Sequence, residues 1–287
     1  MPKVSVVITC FNYGRYLADA VDSVMRQSLQ DFEIVIVDDG STDDTRSVAG
    51  GLITKHKGAS ISLISQENKG FSGARNAGIK AAAGEYIMPL DADDMLAPEY
   101  LEHVAGLLDS DPGLSFAYTD GELFGEKAHE LACVPVAREY DFARLLRTNI
   151  ISFSGMFRKS AWEETGGYKS GVLDGYYDWE FWITLGESGR RGGYVDRPLY
   201  LCRKHGGSRM DSLAGQYNRI YNQIRMLHPK VYAPFSSRVS INLARAVIKA
   251  QSWLVDPVTH YLYRKHPRLH SFLREKVKLF CNIGWSL

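Results

Sequence analysis

The stretch VSVVIT (Val4–Thr9) is apolar on both parities of an extended chain. A strand of that kind has no face to offer water, so it belongs inside a sheet that is covered on both sides. FEIVIVDD (Phe32–Asp39) reads as a second buried strand, and SISLIS (Ser60–Ser65), EYIMPL (Glu85–Leu90) and LSFAYT (Leu114–Thr119) as a third, fourth and fifth strand. Between them the period changes to that of a helix. Leu17, Val21 and Val24 recur within Arg15–Met25, and Leu101, Val104, Leu107 and Leu108 follow Pro98, which suits a first helical turn. SGARNAGIKAAAG reads as a helix closed by Gly84. In GSTDDT, Ser41 is expected to cap the next helix, with Asp43 and Asp44 at its positive end. Strands alternating with helices at this spacing predict an α/β fold, a mostly parallel sheet with helices on both faces.

Ligands of such sheets bind at the carboxyl ends of the strands. Three polar clusters fall there: Thr9–Tyr13, Asp38–Thr42 and Asp91–Asp94. Asp91-Ala92-Asp93 is an Asp-x-Asp directly after a buried strand, and in extended geometry its two acids share one side. Paired carboxylates with hard oxygens suit Mg²⁺ or Mn²⁺, which can bridge to a diphosphate and offset the charge that develops as it departs. A solvated loop capping the helix near Pro98 is the plainer alternative. Asp39 can accept a hydrogen bond from a base N–H such as N3 of uracil. The phosphoacceptor pocket of a receiver domain does not fit, because the third strand, SISLIS, ends without an Asp.

The chain has 287 residues, 45% hydrophobic and 23% charged, enough for a full core. Its start enters a strand pattern with no secretory signal, and no apolar run nears the roughly 20 residues of a membrane helix, so a cytoplasmic protein is expected. Cys10, Cys133, Cys202 and Cys281 are far apart and lack metal-ligand spacing. The net charge of +1 conceals a segregation: residues 203–287 carry 15 Lys and Arg against 3 Asp and Glu, and the remainder is acidic.

From about residue 120 the alternation weakens. EETGGY (Glu163–Tyr168) reads as a helix end and turn. YYDWEFWITLGESG (Tyr176–Gly189) reads as an amphipathic helix with an acidic, aromatic first turn, and GGYVDRPLYLCRKHGGS (Gly192–Ser208) as a strand running into a Gly-rich loop. Residues 211–287 look helical and basic. Their Lys, Arg and His, interleaved with Leu, Phe, Tyr and Trp, suit either a surface lying on anionic lipid or a helical subdomain packed on the core or a second subunit. Nucleic acid fits poorly, since the acidic body would repel it.

Taken together, VSVVITCFNYGRYL, FEIVIVDDGSTDDT, NKGFSGARNAGIKAAAG and EYIMPLDADD resemble the nucleotide-binding half of the inverting family 2 glycosyltransferases, which have the GT-A fold. The likeness is nearly unbroken over residues 3–110 and continues more loosely to about 210, dividing the chain into a 1–210 catalytic domain (halves 1–110 and 111–210) and a 211–287 extension. What the resemblance implies is specific. Thr9, Phe11 and Tyr13 would hold the nucleoside, with Tyr13 stacked on the base, and Asp39 would read the uracil edge of a UDP-linked donor. Arg75 and Asn76 would lie near the ribose and diphosphate, although Arg75 could equally be a helix-surface charge. Asp93 would bind Mn²⁺ or Mg²⁺, with Asp91 nearer the ribose or the metal, and His205 would be a further ligand or a phosphate contact. Arg203 would add positive charge. Where family members often carry Glu-Asp before an aromatic, this chain has Tyr177-Asp178-Trp179-Glu180. Asp178 aligns with the general base, and the departure leaves Glu180 as a second candidate. Beside aromatics, a carboxyl in that first turn is expected to have a raised pKa, which suits a base; a simple helix cap is the alternative.

The expected reaction is transfer of a sugar from a nucleotide-sugar donor to the hydroxyl of a glycan or lipid-linked acceptor, with inversion, in building bacterial cell-surface polysaccharide or lipopolysaccharide. A peripheral contact with the inner membrane surface would serve a lipid-linked acceptor. A sugar-phosphate nucleotidyltransferase would need a Gly-rich opening loop with Arg, which TCFNYGRYL lacks. A non-catalytic nucleotide-sugar-binding or scaffold protein would have no reason to keep Asp91, Asp93 and Asp178 together.

Overall fold

The computed structural model describes residues 1–128, 137–151, 154–169, 176–206 and 215–233. Cys133, Cys281, Gly207, Ser208 and the basic segments after residue 233 lie outside the described residues. Among the described residues, one sheet contains β1 (Val4–Cys10), β2 (Phe32–Asp38), β3 (Ile61–Ser65), β4 (Tyr86–Asp91), β5 (Met95–Leu96), β6 (Leu114–Phe124), β7 (Met156–Arg158) and β8 (Arg191–Arg203). The helices are α1 (Gly14–Met25), α2 (Thr45–Lys55), α3 (Gly70–Ala81), α4 (Tyr100–Ser110), α5 (Phe142–Leu145), α6 (Lys159–Thr165), α7 (Tyr177–Glu187), α8 (Tyr217–Leu227) and α9 (Pro229–Tyr232). One compact unit takes in the described residues to Tyr232, α8 and α9 included.

The strand order is β3-β2-β1-β4-β7-β6-β8-β5. β1 is buried at every residue, as its pattern required, and pairs in parallel with β2 and β4. The sheet is mixed rather than uniformly parallel in its second half. β7 runs antiparallel to both β4 and β6, and β5 antiparallel to β8. Neither β5 nor β7, of two and three residues, leaves a periodic trace in sequence. β6 extends five residues past Thr119 and pairs in parallel with β8 through several register shifts.

Three local expectations are corrected. Ser41 does not cap α2: its hydroxyl accepts from the backbone N–H of Asn12 (2.9 Å), while Asp43 accepts from Thr45 N (3.0 Å) and Gly14 N (3.1 Å). Gly84 does not close α3, which ends at Ala81; a Cβ at Gly84 would lie 2.6 Å from Ser5 N, so this glycine admits β1. α7 is not amphipathic: Trp179, Glu180, Phe181, Trp182, Ile183 and Leu185 are all buried. The aromatic residues there pack with Phe157, Tyr168 and α8, with Trp179 stacked 5.9 Å from Tyr217 and 6.0 Å from Tyr221.

α3 lies tightly on the sheet because Gly78 faces it. A Cβ at Gly78 would fall 2.4 Å from Val7 Cγ1 and 2.8 Å from Val37 Cγ2. Gly78→Val is therefore expected to overpack this contact and lower stability by about 1–3 kcal/mol, measured by urea unfolding. An unchanged midpoint would show that α3 can lift without penalty.

Glu180 anchors the other half. Its Oε1 takes Lys169 Nζ (2.6 Å), Thr184 Oγ1 (2.8 Å) and His228 Nε2 (2.9 Å), and His228 Nδ1 meets Glu187 Oε2 (2.6 Å). Burial pushes the Glu180 carboxyl up, but the bonds from His228, Lys169 and Thr184 outweigh it and hold the group below its ordinary value. A depressed carboxyl stabilises the fold above its unfolded pKa, about 4.3, and loses that contribution as pH falls through the lower folded value. Glu180→Gln is expected to lose roughly 3–5 kcal/mol at pH 7, the range for breaking a buried pair. Urea titrations should show the gap to wild type shrinking as the buffer is acidified below about pH 4; a constant gap would exclude an ionised pairing.

Candidate active site

Strand register gathers the first three clusters. Thr9 lies opposite Val37 on β2 and opposite Asp91 on β4, and Cys10 opposite Asp38. Past the strand ends the loops stay bonded to β1, through Asp39 N to Cys10 O (2.9 Å) and Ala92 N to Thr9 O (3.2 Å). Asn12, at a left-handed φ of 58°, ties the first loop to the second: its Oδ1 accepts from Thr42 N (2.8 Å). A non-glycine residue in that region costs on the order of 1 kcal/mol, and such strain gathers at functional sites.

Thr9 is buried, and its hydroxyl has no partner among the described residues. Phe11 is 45% exposed. Tyr13, just before α1, is half-buried, its ring 5.5 Å from that of His205, and burial with Asp93 nearby raises its pKa. Asp39 is buried, with Oδ1 accepting from Gln66 Nε2 (2.7 Å) and Lys69 N (2.9 Å).

β4 ends at Asp91, and a turn follows in which Asp94 N donates to Asp91 O (3.0 Å). Asp91 and Asp93 thus do not continue one extended face, and each acid of the cluster finds its own partner. Asp91 Oδ1 receives Arg75 Nη2 at 3.0 Å. Asp93 Oδ2 lies 3.1 Å from His205 Nε2. Asp94 accepts from Tyr200 Oη (2.8 Å) and Arg203 N (2.8 Å), so it fastens the end of β8 and caps no helix at Pro98. Burial pushes Asp91 up to about 6, with Arg75 opposing and Asp93 adding repulsion. Burial, with Asp93 and Asp91 adding to it, raises Asp94 well above the carboxylate range. Arg203 donates from Nε to Asp93 O (2.8 Å) and pairs with Asp19 (2.6 Å), fixing the turn's backbone.

Among the described residues no group of three His, Cys, Asp or Glu is placed to hold a metal. Asp93 and His205 offer one carboxylate and one imidazole side by side. That donor set fits Mn²⁺ or Mg²⁺, which is held by few protein groups when phosphate oxygens and water complete its shell.

Asp178 arrives from α7, just after Tyr176, whose φ of 68° turns the chain into the helix. Its carboxylate is 26% exposed and bonded to Arg75 Nη1. Burial raises its pKa, and Arg75 opposes. Glu180, the other candidate, is sealed in the core with Lys169 and His228. Arg75 is no surface charge: it is 0% exposed. Asn76 is engaged at both ends of its amide, with Oδ1 accepting from Trp162 Nε1 (3.1 Å) and Tyr168 N (3.1 Å) and Nδ2 donating to Tyr168 O (2.7 Å). Reasoning from sequence missed the Arg75–Asp178 pair, 103 residues apart. One signal was present: Arg75 shares the buried face of α3 with Gly78 and Ile79, at helical spacing.

The family model described as "Glycosyl transferase family 2" matches residues 5–165, more than half of the chain. Asp178 and His205 lie past that match. Chondroitin synthase of Escherichia coli is 30% identical over 189 residues, which is 66% of this chain and 27% of that protein, so the chain spans about a quarter of its length. Staphylococcus aureus TarS 1–349 in complex with UDP-GlcNAc superposes with a TM-score of 0.63 at 20% identity, over 78% of this chain and 66% of that one. A mannosyltransferase of Pyrobaculum calidifontis in complex with GDP-Man and Mn²⁺ does so at 0.58 and 17% identity, over 93% and 88%. The two structures establish the GT-A fold, and the match of the family model, with the strand-end loops it contains, makes this chain a member of glycosyl transferase family 2 and a glycosyltransferase.

Proposed function

We propose that the protein moves a sugar from a nucleotide-linked donor to an acceptor hydroxyl in one inverting displacement. The observation that carries this reading is the meeting of Asp178 with the turn after β4, joined through Arg75. That meeting supports reading Asp178 as a base beside the edge where GT-A proteins hold a nucleotide. The nucleoside lies over Thr9, Phe11 and Tyr13, with Tyr13 against the base and Asp39 accepting from its edge. Asp93 and His205 hold the divalent cation, and when bound it neutralises negative charge on the diphosphate. Asp178 takes the proton of the acceptor hydroxyl as that oxygen bonds to the anomeric carbon. The bond to the diphosphate breaks on the opposite face, and its electron pair leaves with the nucleotide.

UDP is the favoured nucleotide, since TarS is described with UDP-GlcNAc; the GDP-Man of the mannosyltransferase is the competing choice. The name of the E. coli relative supports polysaccharide synthesis as the setting. No helix among the described residues is long and apolar enough to cross a membrane. The excess of 15 basic over 3 acidic residues after position 202 supports a peripheral contact with anionic lipid at the cytoplasmic face, where a lipid-linked acceptor would wait.

Asp178→Asn should cut kcat by roughly 10²–10⁴, followed as nucleotide release from a UDP-sugar, with donor affinity nearly unchanged. Wild-type turnover would remove Asp178 as base. In a thermal-shift screen, UDP with Mn²⁺ at about 100 times its Kd should add about 2.7 kcal/mol, a rise of several degrees. Asp93→Ala should abolish the Mn²⁺-dependent part of that rise. A shift that survives the substitution, or one obtained with GDP alone, would redirect the metal or nucleotide assignment.

A further inference from the structure

The guanidinium of Arg75 is enclosed by the protein, and its Nε has no partner among the described residues. It is 0% exposed, and its two terminal nitrogens diverge to separate parts of the chain. Nη2 reaches Asp91, 16 residues on, at 3.0 Å; Nη1 reaches Asp178, 103 residues on, and lies 3.4 Å from Tyr168 Oη. Phe71, Tyr168 and Tyr177 surround the group, with ring centroids 4.3, 5.3 and 5.3 Å from its central carbon. Phe71 and Tyr177 stack on each other at 3.9 Å. Its neighbour Asn76 grips the Trp162–Tyr168 segment, so two successive residues of α3 bind the catalytic half.

Burying a lone guanidinium is costly, and two carboxylates with three ring faces offset that cost. A lysine could not do the same work. Its ammonium is a point charge, whereas the rigid fork of arginine spans two acids in a fixed relation. The position of α3 is itself fixed, because Gly78 lets it press on β1 and β2.

We infer that Arg75 is an internal tether, a positioning residue that holds the Asp178 carboxylate and the Asp91 turn in one fixed relation, and not a contact to the ribose or diphosphate. The inference deepens the proposed function and rests on Asp178 being the base. The reacting oxygen must approach the anomeric carbon in line with the leaving diphosphate, and a displacement of about 1 Å in the base can cost 10²-fold. A base on α7 and a donor on β4 belong to segments far apart in sequence. The tether makes them one rigid site.

The test compares Arg75→Lys, which keeps the charge and loses the fork, with Arg75→Ala. Arg75→Lys should lower kcat for nucleotide release from UDP-GlcNAc by about 10²-fold while Kd for UDP with Mn²⁺ stays within about threefold. Added guanidinium should recover part of the activity of Arg75→Ala and none in Asp178→Asn. In the Asp178→Asn background, Arg75→Lys should cost little more, because the two act as one unit. Hydrogen exchange, which needs no donor, should quicken over Tyr177–Trp182 in Arg75→Lys even where Arg75→Ala does not fold. Losses of kcat and UDP affinity in parallel, full activity in Arg75→Lys, or unchanged exchange there would each overturn the tether. A wild-type protein that releases no nucleotide from any UDP-sugar would sink the donor reading alone, and the exchange measurement would still decide the tether.

Discussion

Four carboxylates crowd one edge of the sheet, and much of the surrounding structure exists to let them stay there. Asp91, Asp93 and Asp94 leave the end of β4 within four positions, and Asp178 joins them from α7. Left in water such charges would repel; buried without partners they would be protonated or would unfold the turn. The fold brings partners to them from several elements: the fork of Arg75 from α3 serves both Asp91 and Asp178, the hydroxyl of Tyr200 and the N–H of Arg203 from β8 serve Asp94, and the imidazole of His205 just beyond β8 meets Asp93. The cluster is therefore a junction at which α3, β4, α7 and β8 are held together by charge.

The mixed sheet makes that junction possible. The parallel strands β2, β1 and β4 bring the loops of the first half to one edge by register alone. β7 then joins β4 to β6 with antiparallel pairings on both sides, and β6 carries β8 beside it. The end of β8 consequently returns to the acids of β4, where Asp94 fastens it. Behind α7, the aromatic core and the Glu180–His228 contact keep the helix start from shifting. Rigidity at Asp178 is thus built twice, by apolar packing behind the helix and by an ion pair in front.

The first half was legible because its physics is local. Strands buried on both faces announce themselves as apolar runs, and register then fixes which loops meet, so Thr9, Asp39 and Asp91 could be grouped from sequence. The second half was less so. β5 and β7 are too short to show a period, and an antiparallel return needs no more sequence signal than a turn. α7 gave its helix but hid its environment, since a helix with Trp179–Ile183 and Leu185 all buried has no clean polar stripe to mark what it faces. The roles within the site were least visible. Asp91 and Asp93 looked like a pair on one side only while the chain was taken as extended, and the turn at Asp94 undoes that geometry.

Neighbouring acids of the same type thus take different roles, and partner and burial decide which. Asp93 and Asp94 are adjacent and chemically alike. Asp94 is buried against a tyrosine hydroxyl and a backbone N–H, groups that fix a fold. Asp93 is more exposed and faces an imidazole, a partner that can turn from hydrogen bonding to sharing a cation. Asp178 and Glu180 divide in the same way. Glu180 meets a lysine and a histidine within the core and is held ionised as a fixed anchor. Asp178 meets one arginine, keeps part of its surface open, and has its pKa raised by burial, the environment that the proposed base requires. A motif of repeated aspartates marks where charge gathers; the donors brought in from distant segments assign what each charge does.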